Sequence, residues 1–583
     1  MWISLGAVPQ PDGSCSFELW APRREAVELE VISASPRRVP MIRDELGTHR
    51  VALADVQPGS RYRFWSGDRS WADPASRWQP DGVHGPSCVV DPEFAWTDTR
   101  WRGRALADSV IYELHVGTFT RAGTFDAAID ELDRLVQLGI GAIEIMPVAQ
   151  CPGARNWGYD GAFVYAVANA YGGPDGLRRF VDACHARELA VVLDVVYNHF
   201  GPEGAPWAEL APFFRADCHT PWGDAINFDG PDSDGVRRFF LDNAAMWLRT
   251  YHLDGLRLDA VHGIVDRAPI PFLAELAELG AAIGAQSWPR WLIAESDAND
   301  PSIVRPRAQG GLGLDAVWAD DFHHCVHRLL TGERHGYYAD YGERELLAAA
   351  INDGFAYRGQ HSRFRRRRHG APPDGVPPEA FVVCVQNHDQ IGNRPLGERL
   401  TTLVEPAAAT MAMALLLFSP HVPLLFMGEE YGETAPFLFF TDHGDEDVIA
   451  ATRKGRAEEH EGEGDPPDPQ SPATMAKSVI DPRRRNAERE QLVRTMIAIR
   501  RLPELIAERS NCRCELIADG RVLRIAYGER GPLGLFRIDG GSGELELPLP
   551  EGRWVIGVEH GARGGSPMRE PWWFVVLHRS EPA

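Results

Sequence analysis

Lysine is almost absent from this chain of 583 residues, and arginine carries nearly all of its positive charge. We read that as genome composition rather than function. The formal net charge is −23, which argues against nucleic acid or an anionic membrane as partner and suits a neutral substrate. No apolar run reaches the roughly 20 residues of a membrane-spanning helix. The longest, around 412–419, reads as part of an ordinary buried helix. The start, Met1-Trp2-Ile3-Ser4-Leu5-Gly6, has no basic region followed by an apolar core, so no secretory leader is expected. Nine cysteines lie scattered without metal-ligand spacing, and Cys512-Arg513-Cys514 is too close for a finger. Free thiols in a reducing cytoplasm follow.

What is present is enough for two to four domains, with a hydrophobic content of 44% that supplies ample core. Residues 1–95 alternate short β-like runs (Cys15–Trp20, Val27–Ile32, His49–Leu53, Arg61–Ser66) with turn residues, the pattern of a small β-sandwich. A loop rich in turn formers follows over Asp73–Ser87. From Val110 strands and helices alternate. Phe125, Ile129, Leu132 and Val136 recur at helical spacing, with Thr124 placed to cap the start and Gly139 the end. Further helices are expected around Gly176–Arg187 and Ala487–Arg501. Eight apolar runs read as strands: 110–116, 140–146, 189–195, 255–259, 292–295, 314–319, 381–385 and 422–427. The fold class is therefore α/β, a (β/α)8 TIM barrel over 96–505, flanked by the N-terminal sandwich and a C-terminal one over 506–583. In the last region the expected strands are 522–527, 535–538, 544–549, 554–558 and 572–577. A Gly/Pro-rich insertion at 197–235 is long enough for a small subdomain over the site. The acidic stretch Glu458–Pro472 reads as a mobile excursion, and Arg363-Phe364-Arg365-Arg366-Arg367-Arg368 as a solvated loop.

Four of the strands end in polar residues. The central one is Asp254-Gly255-Leu256-Arg257-Leu258-Asp259-Ala260-Val261-His262. Side chains alternate along a strand, so Arg257 and Asp259 share a face, and the cation holds the acid ionised. Trp291-Leu292-Ile293-Ala294-Glu295, Val191-Val192-Leu193-Asp194 with Asn198-His199, and Phe381 through Asn387-His388-Asp389 repeat the device. Parallel barrels keep their chemistry at this end.

These segments resemble the signature regions of the α-amylase superfamily, glycoside hydrolase family 13, across nearly the whole chain. The resemblance implies Asp259 as nucleophile, Glu295 as general acid/base and Asp389 as the carboxylate gripping sugar hydroxyls. It also implies Asp194, His199 and His388 as hydrogen-bonding residues and Tyr159, in Asn156-Trp157-Gly158-Tyr159, as the stacking ring. His262 serves either the substrate or the loop after Asp259. The loop Asp73–Ser87, Trp318-Ala319-Asp320-Asp321, Gly336-Tyr337-Tyr338, Gln386-Asn387-His388-Asp389-Gln390 and Pro436-Phe437 resemble the trehalose-releasing members of that superfamily. Those cleave the α-1,4 bond beside the trehalose unit of malto-oligosyltrehalose and act after the synthase that makes it. Asp321, Tyr337 and Phe437 are the candidates for the leaving-group pocket. Asn198 resembles a calcium ligand of some amylases, but no second ligand set accompanies it, so neither metal nor cofactor is expected. The alternatives are a glycogen-branching transferase, against which Gln386-Asn387-His388-Asp389-Gln390 stands, and an inactive amylase-like scaffold, which requires a missing acid.

Overall fold

The computed structural model describes every residue except 1–3, 34, 461–463, 530, 543–544, 546, 548–553, 562–570 and 580–583. Eight parallel strands close into a barrel in chain order: Ile111–Leu114, Ala142–Ile145, Ala190–Val195, Gly255–Leu258, Trp291–Glu295, Ala316–Trp318, Phe381–Cys384 and Val422–Phe426. The last pairs back onto the first. Each lies within the expected run or one residue beyond it.

The barrel interior follows from strand alternation. Its lower layers are apolar, with Ile111, Ala142, Val192, Ile293, Ala316, Val382 and Leu424 in one buried cluster. The opposite faces place Ile143, Leu193, Leu256, Leu292, Val317 and Leu425 against the surrounding helices. Two residues further along, the inward face turns ionic. Glu113 follows Ile111, Glu144 follows Ala142, Asp194 follows Val192 and Arg257 follows Gly255. Charge therefore collects at the carboxyl end of the barrel, above a dry floor.

The first barrel helix starts as expected, with the Thr124 hydroxyl accepting from the Ala127 amide. It then breaks into Phe125–Ile129 and Leu132–Leu138, ending at Gly139 with φ 102°. The break shifts the buried face, so Leu135 and Leu138 are inside while Val136, expected inside, is 39% exposed. Pro406–Phe418 is buried on nearly every side, which explains its uniformly apolar sequence. The other helices fall at Gly173–His185 and Ala487–Arg500. Among the described residues no helix is long and apolar enough to cross a membrane.

At the N-terminal end two antiparallel sheets enclose Phe17, Leu19, Leu29, Tyr62 and Phe64. They pack on the barrel: the Ser4 and Leu5 amides donate to Asp242 Oδ2 at 3.1 Å, and Trp20 meets Phe213 edge-on. At the other end lies a five-stranded antiparallel sheet that includes Cys512–Ile517, Val522–Tyr527 and Leu533–Arg537. Its Tyr527 hydroxyl donates to the Phe418 carbonyl at 2.7 Å, tying the sheet to the barrel's buried helix. The strand expected over 544–549 lies largely outside the described residues.

The insertion after the third barrel strand forms a short helix, Trp207–Leu210, and a hairpin, Phe214–Thr220 with Gly223–Ile226. It is pinned by aromatic contacts, Phe200 stacked on Trp207 at 4.0 Å and Phe213 edge-on to Phe239 at 5.2 Å. The acidic stretch is less free than expected. Residues 461–463 lie outside the described set, but Asp468 pairs with Arg453 at 2.9 Å and Gln470 donates to the His443 carbonyl at 2.7 Å.

Candidate active site

Arg257 organises the mouth of the barrel. Its guanidinium is fully buried and lies 4.1 Å over the Trp318 ring. Its Nη1 donates to Asp194 Oδ2 at 2.8 Å and to Asp259 Oδ1 at 2.9 Å, while Nη2 stands 3.6 Å from Glu295 Oε2. One cation thus gathers carboxylates from three successive strands. Asp259 is oriented a second time by Asn198, whose Nδ2 donates to Asp259 Oδ2 at 2.9 Å.

The backbone after Asp259 is strained, with Ala260 in the left-handed region at φ 39°. A non-glycine residue holds that conformation only where its surroundings enforce it. Here it aims the Ala260 amide at Glu295 Oε2, 2.5 Å away. Burial pushes the Glu295 pKa well up; Arg257 opposes the shift and Asp259, Asp389 and Asp320 add to it. The site therefore pairs an Arg-held carboxylate with a carboxyl group kept protonated.

Asp389 opens a short helix at the end of the seventh strand, its side chain 40% exposed to the cleft. Asn387 and Gln390 form a capping box around it, the Asn387 side chain accepting from the Asp389 amide at 2.9 Å. Asn387 and Gln390 are therefore helix caps. Replacing them with another capping pair changes the lock on Asp389 rather than a sugar contact.

Tyr159 lies face-on to His388, centroids 5.3 Å apart, and its hydroxyl donates to Asp194 Oδ2 at 2.6 Å. Gly158 makes that approach possible: at φ 107°, a Cβ there would sit 2.1 Å from the Pro147 carbonyl oxygen. Burial raises the Asp194 pKa to about 6, against the pull of Arg257. His199 has both ring nitrogens engaged, Nδ1 with Asn198 Oδ1 at 2.5 Å and Nε2 with the Tyr159 carbonyl at 3.0 Å. It orients Asn198 and the Tyr159 loop. His262 lies at the exposed rim, its Nδ1 4.0 Å from Asp297.

Two of the leaving-group candidates are elsewhere. Asp321 is buried and accepts from Asn299 Nδ2 and the Ala356 amide at 2.7 Å, the Tyr357 amide at 3.0 Å and the Tyr341 hydroxyl at 2.5 Å. It anchors loops. The acid at the site is its neighbour Asp320, whose pKa burial raises to about 7, with Asp389 and Asp321 adding to the rise. Alternation identifies it, because Trp318 faces inward under Arg257 and Asp320 is two residues on. Phe437 is fully buried, stacked behind Trp157 at 5.0 Å. Phe437→Ala should cost about 3–5 kcal/mol of stability and leave substrate preference unchanged, as calorimetry and a ratio of kcat/KM for two substrates would record. Tyr337 packs against His324 at 4.3 Å and Tyr338 at 4.6 Å; burial raises its phenol pKa to about 12, and Asp320 and Asp389 add to the rise.

Sequence reasoning missed Trp222, at the hairpin tip between His199 and His262, with ring centroids 6.0 and 5.8 Å away. It also missed Phe364, 48% exposed and edge-on to Tyr337 at 6.3 Å. The arginine run that carries Phe364 is mostly solvated, but Arg365 pairs with Asp297 at 2.9 Å. Glu113 and Glu144 were missed as well, although an acid inside an apolar barrel strand is itself a signal. Among the described residues no group of three or more His, Cys, Asp or Glu is arranged to hold a metal ion.

A family model for the alpha-amylase catalytic domain matches residues 92–212. The chain is 45% identical to a malto-oligosyltrehalose trehalohydrolase of Saccharolobus solfataricus, over 82% of this chain and 83% of that one. It is 48% identical to a malto-oligosyltrehalose trehalohydrolase of Arthrobacter ramosus, over 80% and 82%. A 1,4-alpha-glucan branching enzyme of Corynebacterium jeikeium is more distant, 27% identical over 74% of this chain and 63% of that one. A crystal structure from Salmonella typhimurium, provisionally described as an alpha amylase, is 38% identical with a TM-score of 0.91, over 99% of this chain and 100% of that one.

Proposed function

The chain belongs to the malto-oligosyltrehalose trehalohydrolase family within the α-amylase superfamily, and from that premise we propose how its site releases trehalose from malto-oligosyltrehalose. The observation that carries the mechanism is the single guanidinium of Arg257 between Asp259 and Glu295, with the Ala260 amide directed at Glu295. An ionised carboxylate beside a protonated carboxyl group is what retaining glycoside hydrolysis requires, at a separation of about 5–5.5 Å.

Asp259 attacks the anomeric carbon of the glucosyl unit as Glu295 gives its proton to the departing glycosidic oxygen. Trehalose leaves, and a covalent glycosyl ester remains on Asp259. Glu295, now ionised, takes a proton from water, and the resulting hydroxide equivalent attacks the same carbon. The malto-oligosaccharide departs with its original configuration and both acids return to their starting states. Asp389 and His388 hold hydroxyls of the glucosyl ring, Tyr159 lies under it, and Asp194 fixes Tyr159.

On the leaving-group side, Tyr337, Phe364 and Asp320 offer an aromatic and acidic wall for a compact, non-reducing disaccharide. A maltose unit in the same place would present a reducing end that the wall does not match. The enzyme should therefore show a kcat/KM for maltotriosyl-trehalose at least about tenfold above that for maltopentaose, worth about 1.4 kcal/mol of differential binding in the transition state. Tyr337→Ala should narrow that ratio. Equal values for the two substrates in the unaltered enzyme would remove trehalose recognition from the account. The upstream reaction is that of a malto-oligosyltrehalose synthase, and the nine free cysteines, eight of them buried, suit a reducing cytoplasm.

A further inference from the structure

Beneath the site, the first barrel strand sends one carboxylate to a histidine 275 residues away in sequence. Glu113 is 1% exposed, and both its oxygens face His388: Oε1 receives the ring Nδ1 in a short hydrogen bond, and Oε2 accepts the His388 amide at 3.3 Å. On the other side of the ring, Nε2 lies 2.7 Å from the Tyr159 oxygen and 3.5 Å from Asp389 Oδ1. The Tyr159 hydroxyl has one proton, and at 2.6 Å it goes to Asp194 Oδ2, a carboxylate also held by Arg257. Towards His388 that oxygen can only accept. Nε2 must then carry a proton, and Nδ1, facing a carboxylate, must carry another.

We propose that Glu113 is a positioning residue for the hydrolysis, holding His388 as a doubly protonated imidazolium whose Nε2–H is aimed at Tyr159, Asp389 and the sugar. Hydrogen bonds with an ionised partner are shorter and roughly twice as strong as neutral ones, and a fixed cation favours binding of the electron-rich sugar hydroxyls. The cation also balances Asp389, which is left more exposed than any other acid at the centre of the site. A neutral His388 would lose one of these two bonds and turn with it.

The surroundings agree. Around the ring stand Glu113 from the first strand, Glu144 from the second, Asp194 and Arg257 from the third and fourth, Tyr159, His115 and, on its own helix, Asp389. Burial alone would depress the His388 pKa, and Arg257 works the same way, but Asp389 and Glu113 outweigh both and raise it to about 9. His115 is pushed down to about 4 by burial and stays neutral. Glu144 is buried with no partner for either oxygen among the described residues, and burial raises its pKa well above the usual range, so it adds no charge of its own.

The test has a spectroscopic arm that stands apart from the proposed activity and a kinetic arm that rests on it. With histidine labelled in both ring nitrogens, and His388 assigned by its loss in His388→Gln, the unaltered enzyme should show both His388 nitrogens protonated at about pH 7.5, a pH at which an unperturbed histidine is neutral. In Glu113→Gln the ring should become neutral at that pH. Its kcat/KM on maltotriosyl-trehalose should fall about tenfold or more at about pH 8, the kind of loss that follows a mis-set histidine tautomer. Activity should then recover as the pH is lowered and the ring regains its proton. A neutral His388 in the unaltered enzyme overturns the proposal whether or not Glu113→Gln folds. So does a folded Glu113→Gln that keeps the cation, or one whose loss does not recover on acidification, which would assign Glu113 to packing alone.

Discussion

Glu295→Gln should lose roughly 10²–10⁴-fold or more in kcat on maltotriosyl-trehalose yet still react with a malto-oligosyl fluoride. A sugar alkoxide is a poor leaving group without a proton, and in the unaltered enzyme that proton sits on Glu295, held there by burial against the pull of Arg257. Fluoride needs no such help. Asp259 should therefore be glycosylated in the Glu295→Gln enzyme, and because the second step needs Glu295 as base, the ester should accumulate. Mass spectrometry of the digested protein should find the sugar on Asp259. Azide requires no deprotonation and should speed its release. Asp259→Asn should accumulate nothing with either substrate. A sugar attached elsewhere, or equal losses on fluoride and glycoside in Glu295→Gln, would reverse or remove the assigned roles.

Arg257→Met should be the most damaging change to the scaffold of the site. Removing one member of a buried ion pair leaves its partners desolvated and unpaired, at a cost of about 3–5 kcal/mol. Here the partners are Asp194 and Asp259 in direct contact, and Glu295 beyond them. Burial already raises Asp194 and Glu295 against the pull of Arg257, so without the cation these two hold their protons to still higher pH in the folded state than in the unfolded one. A group with a raised folded-state pKa contributes stability that is present below its unfolded pKa and lost as pH rises through the folded value. With Asp194 already at about 6 beside Arg257, the variant should lose stability steadily between about pH 5 and 8 relative to the unaltered enzyme. Activity should fail with it, because Asp259 loses the guanidinium that orients its carboxylate. Calorimetry at both ends of that range checks the slope. Parallel melting temperatures would mean that the three acids do not depend on Arg257.

The strands and the three principal acids were legible because each is written locally. An apolar run with an acid at its end needs no knowledge of distant chain, and the Arg257–Asp259 spacing fixes a shared face. What escaped was written across the barrel. Glu113 and His388 meet only when the first and seventh strands enter one closed sheet, and Trp222 reaches His199 through a hairpin whose aim depends on aromatic packing. Phe437 is ambiguous in the sequence because an aromatic after a barrel strand serves equally as a pocket wall or as the layer behind one, and Trp157 takes the front position. Asp320 and Asp321, by contrast, are separable in the sequence. Strand parity from Trp318 distinguishes them, and the motif as a whole hid that parity.

The most direct test of the account is to follow one digestion of maltotriosyl-trehalose in water labelled with heavy oxygen. A retaining trehalose-releasing hydrolase should yield unlabelled trehalose and a maltotriose carrying the label at its anomeric carbon, first seen as the α-anomer. Label in the trehalose, maltotriose appearing first as the β-anomer, or unlabelled products joined through new α-1,6 bonds would contradict it.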